Sequence, residues 1–574
     1  MERDTPNELV DLAQLSAGEV HHLPIVKAFA ERIDLVGTIN RLVPSQAEID
    51  PGTLTLALVE DVVSGRHPLY RIRDFFEKKD LELLLGKPVD LDSLTDDNFG
   101  RLLDRLYDAN TSRLLSALAM NALRAFGMPA KPHVHFDTTS VSVYGAYEPP
   151  LGEDPPPFQI TYGFSKDHRP DLKQFMVSHL CVGGALPIFS KTEDGNASDK
   201  SVNHTVLATI SQKLVEVGIS PRAAIYIADS ALVTEANLAQ MRHTTLFITR
   251  LPATYAEHDR AVREAVVKNQ WSDFGCLALT PTPSTRPSTR YRGYETTITL
   301  YGVAYRAIVV HSTSHDKRRQ KRLERRLGKE RDELQARGAA LAKTDFACRP
   351  DAEAAAEKLR RESRCYYDLD LVIEERPRYA RGRPKADGTR SLRQMLYGVV
   401  GSLRERAEVL EASRQEAGCF VLLTNVPPAG PEGSPTPYDG KEILLAYKDQ
   451  HGIEQNFGFL KDPAIVNAIF LKRPERIEAL GFVLVVSLLL WRLIESQMRR
   501  HLAQTQSKLP GWDNKPTNRP TSFMLATKFE TILVLNAAGR RFLAHPLSDV
   551  QHAFLDALGL PPSVFTQLNR PQPP

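Results

Sequence analysis

Between residues 133 and 251, short runs of β-branched and aromatic residues alternate with segments of helical period. HVHFDTTSVSVYG (133–145), FQITYGF (158–164) and QFMVSHLCVGG (174–184) read as three strands in succession, with PPLGEDPPP (149–157) as a loop between the first two. SVNHTVLATISQKLVEVG (201–218) then has a helical period, AIYIADSA (224–231) is a short apolar run, TEANLAQMRH is helical and TLFITRL is another strand. Strands separated by helices predict parallel pairing, so this stretch is read as an α/β core with a mixed sheet.

The flanks have a different character. Residues 8 to 125 carry helical patterns, among them LPIVKAFAERIDLVGTINRLV and LTLALVEDVVSG, and Asp96 or Asp97 is placed to cap a further helix. From about 251 to 440 the pattern is mixed: YETTITLYGVAYRAIVVHS reads as a β-hairpin, HDKRRQKRLERRLGKERDELQARGAALAK as a long charged helix, and YDLDLVIEE and CFVLLTNV as strands. Helix returns from 439 to 505, and a proline-broken tail follows. The reading divides the chain into 1–130 (helical), 131–252 (core, first part), 253–438 (insertion), 439–505 (core, second part) and 506–574 (tail). The 574 residues suffice for several such units.

Composition narrows the function classes. Lys and Arg number 73 against 70 Asp and Glu, so an acidic partner has to be held by local clusters and not by the overall field. The five cysteines are scattered with no C-x2-C pair, which suggests neither a zinc module nor a disulfide framework and fits a reducing cytoplasm. MERDTPNELVDL is acidic and lacks the apolar core of a signal peptide. The most apolar run, FVLVVSLLLW (482–491), is well short of the ~20 residues that span a bilayer, so it is read as a buried helix and no membrane partner is expected.

In parallel α/β sheets chemistry gathers where strands end and side chains face a crevice. Asp137 follows HVHF and Asp229 ends AIYIA, each placing a charge where a core position would not tolerate one. A turn or strand-end cap would explain either acid alone. A third acid lies in AYKDQHGIEQNFGFLKDP (446–463). At 100° per residue, Tyr447, Gln450, Glu454 and Lys461 fall within about 60° of one another on a helix. A solvated face carrying an incidental charge pair gives the same spacing.

Taken together these stretches resemble a known family. Tyr447-x2-Gln450-x3-Glu454-x6-Lys461 matches three of the four positions of the Y-x2-R-x3-E-x6-K signature of insertion-sequence transposases of the DDE type, the insertion sequence 4 superfamily. HFDTTSVSVYG, GFSKDHRPDLKQ, IADSA, FITRLP and HGIEQNFGFLKDP are similar to its long-chain branch, named after insertion sequence 1634. The resemblance implies an RNase H-like core interrupted by a large β-rich insertion, with helical amino- and carboxyl-terminal regions. It implies a catalytic triad at Asp137, Asp229 and Glu454, and two Mg2+ ions, with Mn2+ as a substitute, held by the same acids across a scissile phosphate. Strand cleavage by water, then transfer of the freed 3′ hydroxyl to target DNA, is the implied activity. Gln450 departs from the usual Arg, which bears on a contact to the DNA backbone.

The implied partner is double-stranded DNA: the terminal inverted repeats, bound by the amino-terminal helices, and a target, with a homodimer pairing two ends. Tyr447, Gln450 and Lys461 would contact phosphates beside the cut. HDKRRQKRLERRLGKE (315–330) carries eight Lys and Arg against three acids, which suits a phosphate track or a solvated helix face. Arg381-Gly382-Arg383-Pro384 resembles the core of a minor-groove hook. Lys166, Arg169 and Lys173 either line the DNA channel or belong to a loop tied by Asp167 and Asp171. Trp271, the only tryptophan of the insertion, is either a packing residue or, by the resemblance, a base-stacking one. Two rival functions share these features: a silent, element-derived repressor and a general metal-dependent nuclease.

Overall fold

The structure is a computed structural model. It describes residues 15–127, 133–147, 156–165, 169–183, 185–198, 207, 210, 212–221, 223–242, 244–277, 288–362, 366–382, 388, 390–430, 437–449, 451–462, 469, 471–537 and 539–568. The chain is mixed α/β. It forms two compact units, one comprising Met1–Thr249, Thr424–Asp439 and Leu445–Pro574, the other Arg250–Leu423 and Gly440–Leu444.

In chain order the elements used below are β1 (Leu15–Glu19), α1 (Leu23–Arg32), α2 (Pro51–Val62), α3 (Thr111–Phe126), β2 (His133–Val143), β3 (Lys173–Val182), β4 (Leu186–Glu193), β5 (Ile225–Ala228) and β6 (Leu246–Arg250). They continue with β7 (Ser272–Cys276), β8 (Arg290–Leu300), β9 (Val303–Ser312), α4 (Thr313–Ala342), β10 (Tyr367–Tyr379), β11 (Leu392–Glu405), β12 (Cys419–Thr424), α5 (Gly440–Lys448), α6 (His451–Lys461) and α7 (Pro474–Thr505).

In the first unit the strand order is β4-β3-β2-β5-β6. β2 pairs antiparallel with β3 from Val134↔Val182 to Val143↔Lys173, and β3 pairs antiparallel with β4. On its other side β2 runs parallel to β5, which runs parallel to β6. An antiparallel meander followed by two parallel strands is the arrangement expected of an RNase H-like core. One strand differs from the sequence reading. FQITYGF is no strand and makes only the isolated bridge Thr161↔Gln174, because Phe158 and Ile160 turn into a cluster with Val143, Phe175 and Ile477. The third strand is β4, LPIFSKTE, at the edge of the order, where Pro187 is tolerated.

The core of this unit is built round α7. Its stretch from Phe482 to Trp491 is buried throughout, against α1, α2 and α3, which confirms the buried-helix reading of FVLVVSLLLW. By length and hydropathy α7 could cross a membrane, but 83% of that window is buried in protein. α2 is buried along its whole length and is capped by Asp50, whose side chain accepts from the Thr53 amide at 2.8 Å. The helix at Asp96–Asp108 is capped by Thr95, one residue before the expected aspartates, its hydroxyl accepting from the Asn98 amide.

The terminal regions are not purely helical, and the tail is not irregular. β1 pairs with Leu533–Ala537, which pairs with Arg540–Leu543, and the helix Asp549–Leu558 buries Phe554, Leu555 and Leu558 in the core around α7. Phe529 stacks on Phe565 at 5.7 Å, across several prolines. The proline breaks hide this pattern locally, because the apolar residues complement partners hundreds of positions away. Arg541, 3% exposed, closes the arrangement by bonding Asp80 at 2.6 and 3.0 Å and Glu82 at 2.8 Å. We expect Arg541→Ala to lower unfolding stability by about 3 kcal/mol, since it strands two carboxylates, that of Asp80 largely shielded from solvent. Urea unfolding checks this, and a loss under 1 kcal/mol would refute it.

In the second unit the strand order is β12-β9-β8-β7. β8 and β9 form the expected hairpin, turning at Tyr301 and Gly302, both with positive φ (49° and 76°) as a two-residue type I′ turn requires. β10 and β11 form a separate long hairpin, on which α4 and the helix Arg349–Glu362 pack through Leu334, Leu359 and Ala356. The expected long charged helix is α4.

Candidate active site

Asp137 is the fifth residue of β2, half-buried, with Oδ1 accepting from the Thr138 amide at 2.8 Å. Asp229 directly follows β5. The parallel register pairs His135 with Ile227 and ends there; continued two places, it sets Asp137 level with Asp229 on neighbouring chain segments, whose usual spacing within a sheet is ~4.8 Å. A third group reports the same proximity. The buried Tyr226 phenol is pushed well above its ordinary range, by burial first and then by the charges of Asp229 and Asp137. Asp229 also caps the short 3-10 turn Ser230–Leu232, accepting from the Ala231 amide at 3.0 Å, while the Thr249 hydroxyl donates to its carbonyl at 2.7 Å. The cap therefore fixes the acid's rotamer.

Glu454 sits on α6, which packs across β2. The buried face of that helix is anchored by Asn456, whose Nδ2 donates to the Ala185 carbonyl at 2.7 Å and approaches Cys181 Sγ at 3.3 Å. Phe457 meets the His179 ring at 5.4 Å, and His179 pairs across the sheet with Asp137. Glu454 lies one turn before Phe457 on the exposed side, so α6 carries the third acid over the strand that carries the first. Among the described residues, no group of three or more His, Cys, Asp or Glu side chains is gathered closely enough to hold a metal ion as placed.

Beneath the acids lies a set of buried rings. Neither nitrogen of His135 or His179 meets a hydrogen-bond partner among the described residues, and burial pushes both imidazoles down to about 3. Cys181, opposite His135, is pushed up to about 12, chiefly by burial. These groups are neutral packing beneath the site.

The remaining predicted residues fall as follows. The expected single helix through the signature is two helices: Tyr447 is on α5, Glu454 and Lys461 are on α6, and Asp449 forms the turn between them. Asp449 and Gly452 are weak helix formers, and the Asp449 carboxylate reaches His133 Nδ1 at 3.4 Å, which favours the turn. The continuous stripe is thus broken at its middle. Gln450 lies outside the described residues, as do Lys166 and Arg383. Arg169 is held in a two-point pair with Asp171, at 2.9 and 2.7 Å, and Lys173 Nζ donates to the Ala146 carbonyl. Arg381 is exposed between β10 and β11.

In the second unit Trp271 is half-buried, with the Arg292 guanidinium 4.6 Å from its ring centre and His311 and Tyr294 edge-on at 6.3 and 6.5 Å. It lines an open cavity of about 430 Å3 together with Asp273, Arg290 and Tyr291. Packing and access are both served by that position. The sequence reading missed Asn456 and its partner Arg492, which donates to Asn456 Oδ1 at 2.8 Å. An Asn on the apolar face of a helix was the available signal.

Residues 15–120 match the family described as a domain of unknown function (DUF4277), a domain found in transposase-like proteins. A search of the curated proteins returns no match.

Proposed function

We propose that this chain is a DDE-type transposase of the insertion sequence 4 superfamily, in its 1634-type branch, which cuts DNA at the terminal inverted repeats of its own element and joins the 3′ ends to target DNA. The observation that carries the reading is the parallel register of β2 and β5, which, continued two places, sets Asp137 in the middle of β2 beside Asp229 directly after β5, with the helix of Glu454 packed against β2. The fold class and the match of residues 15–120 support it.

Three carboxylates are hard oxygen donors and suit Mg2+ or Mn2+ better than any softer ion, so Asp137, Asp229 and Glu454 are the residues that would hold two such ions. Bound there, the ions would supply charge neutralisation at the scissile phosphate and a more acidic water. The protein's own part is positional. β2 and β5 fix two carboxylates at one level, α6 brings the third, and Tyr447 and Lys461 hold the flanking phosphates. Arg169, Lys173 and Arg381 extend the phosphate contacts, Trp271 stacks a displaced base, and the region matched at 15–120 binds the repeats. A homodimer on paired ends in the cytoplasm completes the proposal.

The test is to mix the full chain with Mg2+ and linear DNA bearing the repeats that flank its own gene. Cleavage confined to the repeat ends, abolished by Glu454→Gln with end binding kept, is the expected result. Indiscriminate degradation would favour the nuclease, and specific binding without cutting would favour the repressor.

A further inference from the structure

In the first unit a cavity of about 410 Å3 opens beside α7, inside the ~300–1,000 Å3 range of small-ligand sites. One wall is apolar, with Leu123 and Phe126 of α3 and Leu186 of β4. The opposite wall carries Arg492, Arg499 and Arg500, at i, i+7 and i+8 and so on one face of α7.

Glu495 is the only carboxylate lining the cavity among the described residues. It accepts from Arg492 Nη1 at 2.7 Å, from Arg499 Nη2 at 3.2 Å and from the Ser522 amide at 3.2 Å. The guanidinia make few other bonds: Arg492 to Asn456, Arg499 to the Pro520 carbonyl at 3.2 Å, and Arg500 to the Phe126 carbonyl at 2.6 Å. Burial, then crowding by Arg519 and Arg492 against the pull of Glu495, holds Arg499 below its ordinary range. Two part-buried arginines bonded to one anion and an exposed third arginine thus line an open cavity, with N–H groups left over among the described residues. Such an excess of charge is stabilised by an oxyanion, and the planar guanidinium fork matches phosphate oxygens.

We propose that this cavity binds a nucleotide, its phosphate on the arginines of α7 and its base against Phe126 and Leu186. The site is separate from the acids of the proposed catalytic reading and does not depend on it. The phosphate chemistry is shared by a free nucleotide and by a nucleotide within a DNA strand.

The test uses the full chain and two fluorescent probes: 2-aminopurine deoxynucleoside monophosphate, and a single-stranded oligonucleotide containing the same base. We expect saturable binding of at least one, weakened at least tenfold by Arg499→Ala and by Arg500→Gln. Saturation by the free monophosphate identifies a nucleotide ligand, and saturation by the oligonucleotide alone, lost in Arg500→Gln, identifies a strand. Arg500 is exposed and makes one backbone bond, so its variant keeps the test valid if Arg499→Ala does not fold. The unphosphorylated nucleoside should bind the unaltered protein at least tenfold more weakly than the better probe. If neither probe saturates, or if both variants bind like the parent, the arginines are structural ties and the proposal falls.

Discussion

Asp229→Asn is expected to bind the ends of the element as tightly as the parent protein and to cut them roughly 10³-fold more slowly or worse, the scale of losing one electrostatic anchor of a transition state. The carboxamide keeps the size of the side chain and can still accept from the Ala231 amide, so the 3-10 cap and the end of β5 survive. What it loses is the negative charge beside Asp137. The measurement is single-turnover cleavage of end DNA, with a gel-shift titration of the same substrate to separate chemistry from binding. A variant that cuts at the parental rate would remove Asp229 from the site. One that neither binds nor shows a cooperative unfolding transition would mean that the cap dominates, and Asp229→Ser, which restores a cap acceptor without a charge, would then have to fold and still fail to cut.

The second large effect concerns pH and does not depend on the functional reading. His179 is neutral in the fold because burial pushes it to about 3, against an ordinary value of 6.5. Above pH 6.5 both folded and unfolded chains leave the ring neutral, and no penalty arises. As pH falls below 6.5 the unfolded chain takes up a proton that the folded chain refuses, so stability is lost by roughly 1.4 kcal/mol per pH unit for this one group. His179→Leu removes that term and also a pair of ring nitrogens that meet no hydrogen-bond partner among the described residues. The gap in unfolding free energy between variant and parent should therefore widen in the variant's favour by about 2 kcal/mol between pH 6.5 and 5. Other groups oppose the trend in the whole protein, since burial raises Glu60 well above its ordinary range, and the difference between the two proteins isolates His179. Urea midpoints at the two pH values decide it, and parallel curves would show that the imidazole is solvated.

Much of this architecture is legible in the sequence because the decisive signals are local. AIYIA is an apolar run that ends in a charge, and a strand with an acid at its end follows from those few residues, while the β-branched run after HVHF carries β2 on through Asp137 to Val143. The hairpin at Tyr301-Gly302 and the charged helix α4 are equally local. What escaped depends on distant partners. β4 is not evident in the sequence, because Pro187 and Lys191 dilute its pattern and only pairing with β3 makes it a strand. The break at Asp449 was hidden because helical spacing continues through it, while the contact to His133 that favours the turn lies more than three hundred residues upstream. The tail looked irregular because its prolines interrupt every period, yet Phe529, Phe554 and Phe565 share the core of the amino-terminal helices. At the site, the sequence nominated three acids, but the register that levels Asp137 with Asp229 emerges only when the strands are paired. Asn456, Arg492 and Glu495 draw their meaning entirely from one another.

The central claim is that Asp137, Asp229 and Glu454 act as one metal-holding group. Calorimetric titration of Mn2+ into the full chain bound to its own element end tests it without requiring any chemistry to occur. Two ions are predicted per active site in the parent protein, with at least one lost in each of Asp137→Asn, Asp229→Asn and Glu454→Gln. Undiminished Mn2+ uptake by the Glu454→Gln protein would contradict the account.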